Sequence, residues 1–170
     1  MKRLLTNVLV ILGLVLGMSF AGAQTAKELD KSGLEHFGEA FYKAVPMHEP
    51  GKAASEYSQA EKAFQEAIRS KPDWVEPYLH LGRAYFVQQK YRQAAELYQK
   101  ALTLAPRRKE IYLQWASALE MAGDYQGAVK VLQTLRTREP GERANTMLDD
   151  IIKRLQARAQ APPTEKEGDY

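Results

Sequence analysis

Apolar residues in the middle of the chain recur at the spacing of amphipathic helices. Between residues 75 and 105 they fall at positions 78, 81 and 85, and then at 94, 98 and 101. Side chains three and four positions apart lie on one face of an α-helix, so each set forms one apolar stripe. Pro72 and Pro106 bound this segment, and proline ends helices because it lacks an N–H and clashes with the preceding turn. The pattern predicts two helices joined by a short turn.

This helix pair belongs to an internal repeat, because Pro72, Pro106 and Pro140 are each 34 residues apart. Alanines and large apolar residues recur at the same period. Small residues let two helices approach closely, and large ones fill the space around the contact. The residues that we expect to pack the helices together are Tyr78, Leu81, Gly82, Tyr85, Ala94, Tyr98, Ala101, Pro106, Tyr112, Ala116, Ala128 and Pro140.

The repeated positions resemble those of the tetratricopeptide repeat (TPR), a 34-residue helix–turn–helix unit. Residues 75–108 fill all eight signature positions of that unit, from Tyr78 to Pro106. Residues 109–142 fill most of them but carry Leu135 where a small residue is usual. The resemblance implies an all-α fold, a short right-handed α-solenoid of about three units with a C-terminal capping helix.

The first unit is irregular. Ala60, Phe64 and Ala67 fit the second helix, but a 34-residue count does not place suitable residues in the first helix. Shifted ten residues upstream, the positions fall on Leu34, Phe37, Gly38 and Phe41, which fit. We therefore expect a repeat over residues 31–74 with an extended loop at 45–51. An unrelated N-terminal helix is the alternative.

The pattern changes after Pro140. Met147, Leu148, Ile151, Ile152 and Leu155 form one apolar face, which predicts a capping helix over residues 142–159. The TPR domain would then cover residues 24–160. Residues 161–170 contain no core-forming side chains and are expected to be a disordered tail.

The N-terminal residues have the order of a secretory signal peptide. Lys2 and Arg3 precede an uncharged apolar run over residues 4–20, and small residues including Ala21 and Ala23 follow. We expect cleavage after Ala23, with an uncleaved membrane anchor as the alternative. Either reading predicts an exported protein of the periplasm or cell envelope, with the membrane involved only through an uncleaved segment.

In TPR proteins the first helix of each pair lines a concave groove, and this resemblance implies a partner-binding surface here. The implied groove residues are Glu76, Leu79, His80, Arg83, Phe86, Val87, Leu113, Gln114, Ser117, Glu120 and Met121. In the shifted register of the irregular first unit, the corresponding positions are Glu35, His36, Glu39, Tyr42 and Lys43. Such a mixed apolar and charged groove suits an amphipathic helix or an extended apolar peptide.

The resemblance also sets a limit on the partner. The family's two-carboxylate clamp for heat-shock chaperone C-termini needs Lys and Asn at positions that here hold Glu35 and Glu39, or Leu79 and Arg83. The sequence therefore predicts an exported protein–protein interaction scaffold without that clamp. The alternative is a structural envelope component of the cell wall or outer membrane that self-associates, with a homodimer as its simplest form.

Charge and composition narrow the chemistry. The formal charge of +3 falls to about +1 once the two basic residues of the N-terminal segment are removed, which gives no basic footprint for nucleic acid. The chain has no Cys and three His, and no catalytic triad or phosphate-binding loop appears. His36 and His80 fit a titrating or partner-contacting role better than a metal site, and the carboxylates of Glu35 and Glu39 fit a solvated helix face. We expect no enzyme activity, no cofactor and no metal.

Overall fold

The computed structural model describes residues 25–138 and 142–160, and the regular elements in these two ranges are all helices. The fold class predicted from the repeat, all-α, is confirmed. The expected cleavage residues Ala21 and Ala23, the third repeat proline Pro140 and the tail at 161–170 lie outside the described residues.

The first described helix, α1, covers residues 25–38 and continues as a π-helix over Glu39–Ala44. Six further helices follow in the described residues. They are α2 (Pro50–Ser70), α3 (Val75–Val87), α4 (Tyr91–Leu104), α5 (Lys109–Met121), α6 (Tyr125–Arg138) and α7 (Glu142–Gln160).

The chain divides into two compact units, Met1–Ala84 and Tyr85–Tyr170. We call these the N-terminal unit and the C-terminal unit and describe each by itself. The described part of the N-terminal unit holds α1, α2 and most of α3. The C-terminal unit holds the last residues of α3 and the helices α4 to α7.

In the N-terminal unit, α1 packs closely against α2 at Gly33. A Cβ atom added to Gly33 would lie 2.5 Å from a ring carbon of Phe64, whose side chain is fully buried. We expected Gly38 to be the small residue of this helix, but a Cβ there would meet no atom within 4 Å. The point of close approach is therefore Gly33, which the repeat alignment did not identify.

The connection between α1 and α2 is shorter than we predicted. Pro50 and Gly51, assigned to the loop from the sequence, form the first turn of α2. Proline is tolerated there because the first N–H groups of a helix have no intrahelical partner. As α2 has 21 residues where α4 and α6 have 14 each, the additional residues of this pair lengthen its helices.

Two turns in the C-terminal unit repeat with the 34-residue period. Gln89 and Gly123 both have positive φ, of 61° and 83°. The next residue in each turn donates its N–H to the preceding helix, Lys90 to the Tyr85 carbonyl at 2.9 Å and Asp124 to the Leu119 carbonyl at 2.8 Å. The same left-handed turn thus joins α3 to α4 and α5 to α6, with glycine in only one of the two.

The repeat proline also has a repeated hydrogen-bond partner. In the N-terminal unit, the Tyr78 hydroxyl donates to the Pro72 carbonyl at 2.9 Å. In the C-terminal unit, the Tyr112 hydroxyl donates to the Pro106 carbonyl at 3.2 Å. The signature aromatic residue therefore bonds the turn that precedes its own helix. Burial and the nearby Asp73 carboxylate raise the pKa of Tyr78.

The predicted packing residues differ in burial. Tyr78 is half-buried, and Pro106 is exposed at its turn. The buried ones are Leu81, Gly82, Tyr85, Ala94, Tyr98, Ala101, Tyr112, Ala116 and Ala128.

In the C-terminal unit, α7 completes the core of α5 and α6. Leu148, Ile152 and Leu155 of α7 are buried in one cluster with Leu132 and Leu135 of α6. Leu135 departs from the repeat signature, and its position in this cluster explains why a large apolar residue fits there. Met147 was expected on the apolar face of α7, but it is 69% exposed. The packed face of α7 is therefore narrower than the sequence suggested.

Candidate partner-binding surface

The groove residues implied by the sequence lie on α3 and α5, the first helices of their pairs. The N-terminal unit carries Glu76, Leu79, His80 and Arg83. The C-terminal unit carries Phe86, Val87, Leu113, Gln114, Ser117, Glu120 and Met121. Their surroundings differ, and the differences decide which residues are available to a partner.

His80 is a structural contact to α1. Its Nδ1 lies 2.8 Å from Oδ1 of Asp30, a carboxylate that is only 6% exposed. The imidazole also packs against Phe64, with the ring centroids 5.7 Å apart. A carboxylate that is nearly excluded from water needs a hydrogen-bond partner, and His80 supplies it. We therefore assign His80 to the contact between α1 and α3.

Arg83 also faces α1. Its guanidinium carbon lies 5.4 Å from the centre of the Phe37 ring, within the range of a cation–π interaction. Arg83 remains exposed, so its polar groups are accessible while its position is fixed by the ring. Glu76 and Leu79 are half-buried one turn or more before it.

At the end of α3, within the C-terminal unit, Phe86 is half-buried against Tyr91 of α4. The two rings meet edge to face with their centroids 5.3 Å apart. Val87, the next residue in the sequence, is also half-buried. Phe86 therefore contributes to packing between helices, and only part of its side chain is open to a partner.

The exposed part of the surface lies on α5. Leu113 and Met121 are 44% and 52% exposed. Gln114 and Ser117 are exposed on the same helix. Residues 113, 117 and 121 are four apart and therefore follow one stripe of the helix, about 12 Å long at 1.5 Å per residue. We call these four residues, Leu113, Gln114, Ser117 and Met121, the α5 stripe.

One end of the α5 stripe is charged. Glu120, next to Met121, accepts a hydrogen bond from Arg158 of α7 at 3.0 Å, and Arg154 lies 3.5 Å away. Arg158 also lies over the Tyr125 ring, 4.8 Å from its centre. Two exposed guanidinium groups thus share one carboxylate. The sequence did not predict these contacts, because α7 was expected only as a cap.

The first-unit positions are held by ion pairs. Glu39 contacts Lys43 at 2.7 Å and Lys52 at 2.9 Å, and the hydrogen bonds from these lysines lower the pKa of its carboxyl group. Glu35 lies 3.7 Å from Lys31. Tyr42 is 64% exposed. Glu35 and Glu39 therefore each face a lysine and do not act as a carboxylate pair.

The two histidines do not form a common site. His36 Nδ1 lies 2.7 Å from the Glu56 carboxylate of α2, whereas His80 pairs with Asp30. Within residues 25–138 and 142–160 there is no group of three or more side chains that could hold a metal ion.

Comparison with known protein families identifies the kind of repeat in this chain. Two models described as tetratricopeptide repeat match the chain, one over residues 52–108 and one over residues 87–158. A comparison with curated proteins found no match.

Several solved structures are similar. The TPR2B domain of yeast Sti1, solved in a pHsp70 complex, is 21% identical, with a TM-score of 0.57, over 80% of this chain and 96% of that chain. The first TPR of Spaghetti (RPAP3), solved with an HSP90 peptide, is 18% identical over 79% and 98%, with a TM-score of 0.57. The Yersinia enterocolitica type III secretion translocator chaperone SycD is 18% identical over 74% and 86%, with a TM-score of 0.51.

The fold and the repeated contacts define an α-solenoid built from helix pairs, the class expected from the sequence. The repeats within residues 52–158 are tetratricopeptide repeats. This fold serves as a protein-interaction scaffold. No helix in the described ranges is both long enough and apolar enough to cross a membrane.

Proposed function

We propose that the chain is an exported scaffold that binds a protein or peptide partner through the α5 stripe. The carrying observation is that Leu113 and Met121 expose apolar surface on the first helix of a TPR pair, where Phe86 and His80 instead pack against neighbouring helices. Similar TPR domains of Sti1 and RPAP3 were solved with chaperone peptides. That likeness supports a peptide as the kind of partner.

The chemistry of the stripe suggests the partner's side chains. Apolar Leu113 and Met121 flank polar Gln114 and Ser117. Arg154 and Arg158 add positive charge at one end. An amphipathic helix or an extended segment with apolar residues and an acidic group would match this surface.

Two substitutions with matched exposure test the proposal. Leu113→Glu places a charge on the α5 stripe, and Leu104→Glu places the same charge at the end of α4, where Leu104 is 39% exposed. We expect L113E to reduce recovery of the partner in a pull-down by about tenfold, since a buried unpaired charge at an interface costs at least about 1.4 kcal/mol. L104E should retain the partner, and circular dichroism should show both variants folded. Equal recovery with L113E and L104E would remove the α5 stripe as the binding surface.

The envelope location is the second part of the proposal, and it rests on the charged, apolar and small-residue order of residues 1–23. Mass spectrometry of the protein from its cells should find a chain that begins at Gln24. Replacing Ala21 and Ala23 by leucine should block cleavage and retain the chain in the membrane fraction, because the cleavage site requires small side chains. A chain that keeps residues 1–23 and fractionates with the cytoplasm would overturn this part.

Self-association is a second candidate, favoured by the apolar tip of the first helix pair. Tyr42, Val45 and Met47 are 64%, 49% and 66% exposed around the α1–α2 turn. Light scattering across a range of concentrations tests this reading. A mass that rises with concentration in the parent chain, but not in Met47→Glu, would support self-association, and a strict monomer would exclude it.

A further inference from the structure

A second groove lies in the C-terminal unit, away from the α5 stripe and between α4 and α6. One cavity of about 650 Å³ is lined by residues that include Gln99, Trp115, Leu119, Lys130 and Val131. A neighbouring cavity of about 410 Å³ shares Gln99, Trp115, Lys130 and Val131 with it. The two cavities therefore adjoin each other. We call the space lined by these residues the α4–α6 groove.

One end of the α4–α6 groove is basic. A third cavity of about 370 Å³ shares Pro106, Tyr112 and Arg138 with the second and adds Arg107 and Lys109. Its lining contains three cationic side chains and no carboxylate. Arg138 is held in place there, since it donates a hydrogen bond to the Pro106 carbonyl at 3.1 Å and lies over the Tyr112 ring at 5.7 Å.

The floor of the α4–α6 groove is apolar, and its other end differs in charge from the basic end. Trp115 and Leu119 are only partly buried and provide an apolar floor. The end away from Arg138 has mixed charge, because Arg92, Glu96 and Asp124 all line the first cavity. The Asp124 carboxylate accepts the N–H of Gly127 at 2.8 Å and so caps α6. A segment lying in this groove would meet apolar surface along its length and positive charge near Arg138.

The residues that follow α7 start close to this groove. Gln160, the last residue of α7, lines a cavity together with Lys130 and Gln133 of α6. Lys130 also lines the α4–α6 groove. The sequence continues for ten residues beyond Gln160, APPTEKEGDY, with carboxylates at Glu165, Glu167 and Asp169 and one basic residue, Lys166.

The length and the charge of this segment fit the groove. Ten extended residues span at most about 33 Å, whereas the distance along α6 from Lys130 to Arg138 is about 12 Å at 1.5 Å per residue. Residues 161–164 are therefore long enough to cross α6 at Lys130, and the carboxylates of 165–169 can then reach Arg138, Arg107 and Lys109. Opposite charges at close range favour such docking, and the apolar floor at Trp115 suits Pro162, Pro163 or Tyr170.

We propose that residues 161–170 dock in the α4–α6 groove of their own chain, with their carboxylates at the basic end. The segment acts as an intramolecular ligand. It covers the apolar floor around Trp115 and leaves the α5 stripe as the surface offered to other proteins. The proposal does not depend on the identity of any partner.

Disulfide trapping tests the proposal directly, because the full-length chain contains no cysteine. In one variant, Thr164→Cys is combined with Gln99→Cys in the groove, and we call this the groove pair. In the matched control, Thr164→Cys is combined with Ser117→Cys on the α5 stripe. Both Gln99 and Ser117 are exposed, so neither substitution disturbs the core. We expect the groove pair to form an intramolecular disulfide at least about tenfold faster than the control, because docking raises the local concentration of the two thiols.

The other outcomes contradict the proposal. Equal rates for the groove pair and the control would show that the segment does not prefer the groove. Disulfide-linked dimers through position 99 would show that the groove takes the segment of a second copy. If replacing Glu165, Glu167 and Asp169 by Gln, Gln and Asn left the rate of the groove pair unchanged, the charge complementarity would be wrong.

A second readout needs no cysteine. In nitrogen-15 NMR spectra of the full chain, the same neutralised variant should shift the indole N–H signal of Trp115, which lines the groove. The signal of Trp74, which lies in the N-terminal unit, serves as the internal control and should not move. No change at Trp115 would overturn the proposal even if a cysteine variant failed to fold.

Discussion

The first helix pair and the later pairs solve the same packing problem with different residues. In the α5–α6 pair, Ala116 and Ala128 are the small residues at the signature positions, and both are buried. In the α1–α2 pair, the close approach is at Gly33 against Phe64, five residues before the glycine that the repeat pattern selects. The difference teaches that an insertion moves the contact along the helix and does not simply enlarge a loop.

Helix length explains this shift. The helix α2 is seven residues longer than α4 or α6, and α1 extends through a π-helix to Ala44. A π-helical turn accommodates an additional residue within a helix. The 34-residue period therefore holds for the turns and prolines of the later pairs. In the first pair, only the signature positions of the second helix, Ala60, Phe64 and Ala67, follow this period.

The largest effect should come from breaking the contact that is particular to the first pair. Gly33→Ala should destabilise the fold by about 1–3 kcal/mol, because the new Cβ would overlap the buried Phe64 ring. Gly38→Ala is the matched control and should be neutral or should stabilise by up to about 1 kcal/mol, as alanine favours the helix. Urea unfolding of both variants measures the difference. If G38A were the more harmful change, the register predicted from the sequence would be right after all.

A smaller effect should distinguish the two repeated turns. Gly123→Ala should lose about 1 kcal/mol of stability, because a side chain at a φ of 83° is strained. Gln89→Gly should gain a similar or smaller amount, about 0.5–1 kcal/mol, since Gln89 already occupies this region with a side chain. Thermal unfolding should therefore move in opposite directions for the two variants. Shifts of the same sign would mean that the turns are not equivalent.

The smallest effect concerns the repeated tyrosine bond. Tyr78→Phe should cost about 0.5–1 kcal/mol, the net value of one hydrogen bond. Tyr112→Phe should cost less, because the Pro106 carbonyl also accepts a hydrogen bond from Arg138. Chemical denaturation of the two variants gives the comparison. A larger loss for Y112F would show that Arg138 does not substitute for the hydroxyl.

The sequence predicted the parts of the fold that repeat. Tyr78, Leu81, Ala94 and Tyr98 recur with a period that a helix pair must have, so the fold class followed from them. The extent of the first pair did not follow, because Pro50 and Gly51 are typical loop residues that here begin a helix. Local propensity gave way to the packing of α1 along a longer α2.

The candidate site was less predictable for a physical reason. Position in a repeat indicates which helix face a side chain occupies, but not which residue from another helix covers it. Asp30 and Arg158 lie 50 and 38 residues from His80 and Glu120, respectively. No local pattern links such pairs, so only the structure separates the exposed Leu113 and Met121 from the occupied His80 and Phe86.

The most direct test of the proposed scaffold is photo-crosslinking from the α5 stripe in intact cells. A photoreactive amino acid at Leu113 is compared with the same residue at Leu104 of α4, which has similar exposure. The account predicts a discrete adduct from position 113 that is absent from position 104 and is lost when Met121 is replaced by Glu. Identical adducts from both positions, or an adduct from position 104 alone, would contradict it.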